Sequence, residues 1–176
     1  MFHIIMVVIG ILFVALDQFT KYLAVVYLSP IREHVLIPGV FSLLYLENRG
    51  MAFGLFYGGR WVFVVLTIII MSGIIYNYIT LPKTRPYNVI RVMLVLLTAG
   101  AIGNLIDRVR QGFVVDMFYF SLINFPVFNV ADVLVVVSVI AIGIVYIYLS
   151  KTEEKEKERT KEPKIVKSNS EKESGL

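Results

Sequence analysis

Apolar residues run almost unbroken over four stretches, Ile4–Leu28, Trp61–Ile79, Val89–Ile106 and Phe128–Leu149. Each approaches the roughly 20 residues a helix needs to cross the hydrocarbon of a bilayer. The pattern predicts an all-α membrane protein with four transmembrane helices, at about residues 4–28, 61–79, 89–106 and 128–149. The polar exceptions sit at particular places. Asp17 and Lys21 interrupt the first run, the second carries no charge, the third closes on Asp107-Arg108, and the fourth opens with Asn129 and Asp132. The first run has neither a basic leader nor a small-residue cleavage site, since Ile4–Leu16 ends in Asp17-Gln18, so it reads as a retained span rather than a signal peptide. No internal repeat is visible, which argues against an inverted-repeat transporter.

The connection between the first two spans, residues 29–60, is too long for a tight turn. Val35–Ile37 and Val40–Leu46 favour strands, and Pro38-Gly39, Asn48-Arg49-Gly50 and Gly58-Gly59 punctuate them as turns. A small β-sheet lying on the membrane between helices 1 and 2 is the expectation. From residue 151 onward Lys and Glu dominate, so residues 1–150 read as the membrane domain and 151–176 as a charged, solvated and disordered tail.

Composition sharpens this picture. The chain is 57% hydrophobic and 17% charged. Of its 30 charged residues, eight Lys/Arg and seven Glu lie beyond Ser150, leaving the rest poorer in charge than the average suggests. A net charge of +4 without a basic face carrying interleaved aromatics does not point to nucleic acid. The absence of cysteine removes disulfides, thiolate metal sites and a Cys nucleophile, and His3 and His34 lie too far apart to suggest a metal centre. Lys83, Arg85 and Arg91 flank the short second connection and the tail adds its own basic cluster. The positive-inside rule therefore makes that connection and both termini cytoplasmic.

With that orientation the intramembrane polar groups converge on the outer level. Asp17 lies about 20 Å along the helix from Ile4 at 1.5 Å per residue, with Lys21 on the same face one turn on. Asn104, Asp107 and Arg108 end the outward third span, Asn129 and Asp132 begin the inward fourth, and Asp116 sits on the connection between them. Ionisable groups in a bilayer are expensive and call for an explanation. Asp17–Lys21 reads more readily as a helix-packing pair than as a catalytic one, Asp107-Arg108 as an end-of-span ion pair, and Glu47 with Arg49 as solvated loop charges. Asn104 sits beside the small-residue run Ala99–Gly103, which suits close helix packing. Asp116 and Asp132 fit a structural role poorly, because each has apolar neighbours and no basic residue close in sequence. Two carboxylates brought together share a proton and can act as base and acid on a water, the chemistry of aspartyl hydrolysis. Spacing alone leaves that pairing open.

Five segments in order resemble the lipoprotein signal peptidases, the signal peptidase II family. They are Asp17-Gln18-Phe19-Thr20-Lys21, Asn48-Arg49-Gly50-Met51-Ala52-Phe53-Gly54, Gly103-Asn104-Leu105-Ile106-Asp107-Arg108, Val114-Val115-Asp116 and Phe128-Asn129-Val130-Ala131-Asp132. Met117 stands where the family usually has an aromatic, and the tail lies outside the resemblance. The resemblance implies a catalytic Asp116–Asp132 pair, with Asn48, Gly50, Asn104, Arg108 and Asn129 lining or bracing the site and Asp17 and Lys21 holding span one against it. It implies an extracytoplasmic sheet cradle, a substrate prolipoprotein carrying diacylglycerol on its cysteine, and cleavage just before that cysteine. No metal or other cofactor is expected. The expected protein is a monomeric multi-pass enzyme of the bacterial cytoplasmic membrane, in contact with lipid, with its site near the outer face. Phe53, Phe56 and Tyr57 are expected to cover lipid or substrate. A small ion-coupled transporter and a non-catalytic assembly subunit are the competing classes. The first would place its charges near mid-bilayer, and the second would tolerate Asp→Asn at residues 116 and 132.

Overall fold

The computed structural model describes residues 1–50, 59–85 and 87–173. Four helices cross the molecule: α1 (Phe2–Leu23, extended to Leu28 by one wider π-helical turn), α2 (Arg60–Thr80), α3 (Tyr87–Arg110) and α4 (Val130–Glu173). All four contain segments long and apolar enough to span a membrane. Their outward faces carry large apolar side chains, such as Ile4, Ile11, Ile69, Tyr76, Ile140 and Ile144, each more than half exposed. Such a surface suits hydrocarbon rather than water.

α3 is the central helix, packed by α1, α2 and α4. Its closest approach is to α4, through glycines. A Cβ on Gly100 would come within 2.5 Å of the Ala131 carbonyl oxygen, so only glycine lets the two backbones meet there. At the other end Arg91, 4% exposed, donates to the Leu81 and Pro82 carbonyl oxygens at 2.6 and 3.0 Å. It thereby satisfies acceptors that the end of α2 leaves without intrahelical partners. α1 and α2 straddle α3 on either side of an apolar groove of about 680 Å³, at one end of which His3 hydrogen-bonds the Tyr78 hydroxyl at 2.7 Å.

The sheet has three antiparallel strands in the order β1 (Glu33–Ile37), β2 (Phe41–Asn48), β3 (Val114–Tyr119). The β1–β2 hairpin turns at the expected Pro38-Gly39, where Gly39 adopts φ 70°, a conformation open to glycine at little cost. β3 comes from the connection between α3 and α4, which the sequence pattern did not mark as a strand. It pairs with β2 so that Leu46 faces Asp116 and Asn48 faces Val114. Val115 and Met117 join Ala24, Leu28 and Tyr45 in an apolar cluster. Alternation along the strand then sends Asp116 to the opposite face. Met117 thus fills the packing layer beneath the site.

α4 continues as helix past Ser150 to Glu173, where composition had suggested an unfolded tail. A helix already nucleated in a membrane span propagates cheaply into residues of high helix propensity such as Lys and Glu. The described side chains of this extension up to Glu158 are exposed. The expectation for Phe53, Phe56 and Tyr57 lies outside the described residues.

Candidate active site

The site forms where the start of α4, the end of α3, α1 and the sheet converge. Asn129 and Asp132 form a reciprocal cap on α4. The Asp132 backbone N–H donates to Asn129 Oδ1 at 3.0 Å, and the Asn129 N–H donates to Asp132 Oδ2 at 3.1 Å. This is the geometry of a capping box, with aspartate in the third helical position. The cap leaves the Asn129 amide NH2 free to reach elsewhere, and it donates to Asp116 Oδ1 at 2.6 Å. One fully buried asparagine therefore binds both candidate catalytic carboxylates.

Further amides complete the arrangement. Asn48, at the end of β2, donates to Asp116 Oδ2 at 2.9 Å. Its own Oδ1 accepts the Gly50 N–H at 3.2 Å, a local turn that points the NH2 toward β3. Asn104 on α3 donates to Asp132 Oδ1 at 2.8 Å and accepts from the Asn129 amide at 3.1 Å. Both oxygens of each carboxylate are thus engaged. Asp116 is 1% exposed and Asp132 half-buried, so the pair is reached from the Asp132 side.

Burial first, and then the negative charge of Asp132, push the Asp116 carboxyl up to about 7 against the opposing pull of the Asn48 and Asn129 hydrogen bonds and of Lys21. The shared hydrogen bonds of Asn129 place the two carboxylates in one site. Arg108 donates at 3.4 Å to the Asn104 backbone oxygen, and its guanidinium lies 5.2 Å from the Phe63 ring centroid. It is therefore held between α3 and α2 beside the pair.

Behind this layer lies a second charged cluster. Lys21, 3% exposed, pairs with Asp17 at 2.9 Å and with Asp107 at 3.0 Å, and donates to Asn104 Oδ1 at 2.8 Å. Asp17 also accepts the Ala131 backbone N–H at 2.9 Å, tying α1 to the first turn of α4. It reaches α4 past Gly103, where any Cβ would collide with the Asp17 carboxylate. Gln18 donates to Asp17, to the Gly103 carbonyl oxygen and to Asp107 at 3.1–3.2 Å, and Asp107 accepts the Val115 N–H at 3.2 Å.

Every residue singled out from the sequence for this site lies in the convergent network: Asp116, Asp132, Asn48, Gly50, Asn104, Arg108, Asn129, Asp17 and Lys21. One pairing differs from expectation. Asp107 binds Lys21 rather than its neighbour Arg108, because consecutive helical residues point in different directions. Asp107 and Gln18 belong to this network, although the sequence reading gave Asp107 only an end-of-span ion pair and Gln18 no role of its own. The clue to Asp107 is its spacing of seven and four residues from Gly100 and Gly103, which puts it on the face of α3 packed closest to its neighbours. Glu47 and Arg49 pair at 2.7 Å on the surface, partly exposed, in keeping with solvated loop charges.

Four membrane-length helices, a small antiparallel sheet and a pair of carboxylates held by asparagines, one buried and one half-buried, define a polytopic membrane protein with an acidic site. The sequence profile of signal peptidase (SPase) II matches residues 9–149, and the chain belongs to that family of proteases. A lipoprotein signal peptidase from Caldanaerobacter subterraneus subsp. tengcongensis is 49% identical over 128 residues, covering 72% of this chain and 85% of its own. One from Symbiobacterium thermophilum is 44% identical over 135 residues, covering 76% and 88%. A solved structure described as a bacterial membrane enzyme, determined by the in meso method at 2.3 Å, superposes with a TM-score of 0.73 at 32% identity, over 85% of this chain and 90% of that one.

Proposed function

We propose that this protein is an intramembrane aspartyl endopeptidase that removes signal peptides from diacylglyceryl-modified prolipoproteins, cutting just before the lipid-modified cysteine. The observation that carries this reading is the bridging of Asp116 and Asp132 by Asn129. Family membership and the lipoprotein signal peptidases among its relatives support the substrate class.

In this mechanism the pair holds one proton. Asp132 stands in the first turn of α4, where the helix dipole favours negative charge, so it is the ionised partner and Asp116 carries the proton. Asp132 takes a proton from water as the hydroxyl adds to the scissile carbonyl carbon. Asp116 gives its proton to the carbonyl oxygen, forming a neutral tetrahedral diol. On collapse Asp132 returns its proton to the departing nitrogen, the C–N bond breaks, and the diol proton goes back to Asp116. Both carboxylates end as they began. Arg108 supplies positive charge beside the reacting centre.

The substrate's signal helix and its acyl chains both partition into hydrocarbon, so the scissile bond is presented at the membrane rim. We place both termini in the cytoplasm, the sheet and the carboxylates near the outer face of the cytoplasmic membrane, and read the working unit as a monomer.

The test is cleavage of a synthetic lipid-modified prolipoprotein peptide by purified wild type and by Asp116→Asn and Asp132→Asn. Wild type should release the signal peptide, leaving the lipid-modified cysteine as the new N-terminus. Each variant should lose at least roughly 10³-fold in kcat. Wild-type inactivity on this peptide would count against the substrate assignment, and full activity in both variants would remove the dyad.

A further inference from the structure

Lys21 has an ammonium with three N–H bonds and no acceptor capacity. Each finds a partner: Asp17 Oδ2 at 2.9 Å, Asp107 Oδ2 at 3.0 Å and Asn104 Oδ1 at 2.8 Å. Two carboxylates on one ammonium are more than its neutralisation in a buried place requires. The third contact, to a neutral amide oxygen, has a different consequence.

Asn104 Oδ1 faces two donors, Lys21 Nζ and the Asn129 amide at 3.1 Å, while Asn104 Nδ2 donates to Asp132 at 2.8 Å. An asparagine amide can turn over and exchange its oxygen and nitrogen. Turned here, its NH2 would meet an ammonium and another NH2, and its oxygen would meet a carboxylate. Both faces would then be repulsive. The Asn129 amide, itself held by the Asp132 backbone N–H and by Asp116, supplies a neutral donor to that oxygen, whereas Lys21 supplies a charged one with no orientation that accepts.

We infer that Lys21 is a positioning residue for the hydrolytic centre: its ammonium fixes the Asn104 amide so that the NH2 is delivered to Asp132. Asp17 and Asp107 keep that ammonium charged and aimed. The same Asp17 holds the Ala131 N–H at 2.9 Å, so the group that aims Lys21 also sets the height of the α4 turn bearing Asp132. Lys21 touches neither candidate catalytic carboxylate within salt-bridge distance among the described residues and acts through Asn104. The inference rests on the dyad reading of Asp116 and Asp132.

The chain has no cysteine, which allows a chemically controlled test. Lys21→Cys is alkylated in denaturing detergent with either 2-bromoethylamine or 1-bromopropane and refolded into bilayers. The two products have side chains of nearly equal size, one ending in an ammonium and one in a methyl. The ammonium form should recover most of wild-type kcat. The propyl form should stay down by roughly 100-fold, the scale of one lost preorganised donor, with KM little changed. The charged groups around the centre are Asp17 on α1, Asp107 and Arg108 on α3, Asp116 on β3 and Asp132 on α4. Lys21 opposes the rise of the Asp116 carboxyl. Its removal should therefore move the loss of activity at high pH to higher pH.

A merely structural brace would lower the folded fraction, counted by tight-binding active-site titration, and leave kcat per folded molecule equal in the two alkylated forms. Equal kcat in the two alkylated forms, or an unmoved limb in the propyl form, would overturn the inference. Infrared titration of Asp116 in both forms reads the same difference without substrate. A wrong substrate assignment would silence cleavage in wild type as well, yet leave this infrared contrast intact.

Discussion

Asn129 concentrates three tasks in one buried side chain. It caps α4, positions Asp132 through its backbone N–H and binds Asp116 through its amide. The carboxyl it binds inside the sheet is raised by burial to about 7, so the folded protein holds a proton there that the unfolded chain releases near the ordinary 3.8. The sign follows from linkage. Stability from the buried neutral acid is complete below that ordinary value and is lost as pH rises through about 7. Wild-type Tm in detergent should accordingly fall between pH 5 and pH 8, and Asp116→Asn should flatten the decline; equal slopes would show that Asp116 does not titrate there. On the proposed mechanism kcat/KM should fall over the same upper range, as the pair loses its shared proton. Asp17, Asn104, Asp116, Asn129 and Asp132 were legible in the sequence because polar groups inside or beside apolar runs demand partners, whereas Asn48, in a loop turn, entered only through the family resemblance. Which partner each took was less legible. Asp107 stood next to Arg108 in the chain yet pairs with Lys21, 86 positions away.

Among the elements, α3 carries the most demanding geometry. Gly100 and Gly103 let α4 and the Asp17 carboxylate come close enough for the network to close. Gly103→Ala should force that carboxylate aside and cost roughly 1–3 kcal/mol by overpacking, read as a lower Tm, with cleavage reduced beyond what the unfolded fraction explains. Unchanged stability and activity would mean that Asp17 does not need its present place. The helices were readable because their apolar runs match the bilayer thickness, and β1 and β2 because turn residues punctuate them. β3 was not marked. Its Val114, Val115 and Met117 are all buried, so no alternation of exposed and buried positions announces a strand. Its partner β2 lies far away in the chain, with Asn48 meeting Asp116 across 68 positions. The helical continuation of α4 beyond Ser150 escaped for another reason: composition speaks to burial, whereas a helix already begun needs little burial to continue.

At the scale of the molecule, α1, the hairpin, α3, β3 and α4 each send a polar group to one end of a lipid-facing bundle. The proposed orientation puts that end outside. Single cysteines at Thr84, between α2 and α3, and at Ser121, just after β3, should react with a membrane-impermeant thiol reagent from opposite sides of intact cells. Ser121→Cys should label from outside and Thr84→Cys only after permeabilisation; the reverse pattern would invert the topology. Such an arrangement is useful for hydrolysis only if Asp116 and Asp132, brought from separate segments, act as one titrating unit. Infrared titration of Asp116 in wild type and in Asp132→Asn measures that directly. Removing the Asp132 charge should lower the Asp116 transition from about 7 while burial still holds it above the ordinary range. An Asp116 transition that ignores residue 132 would contradict the shared site.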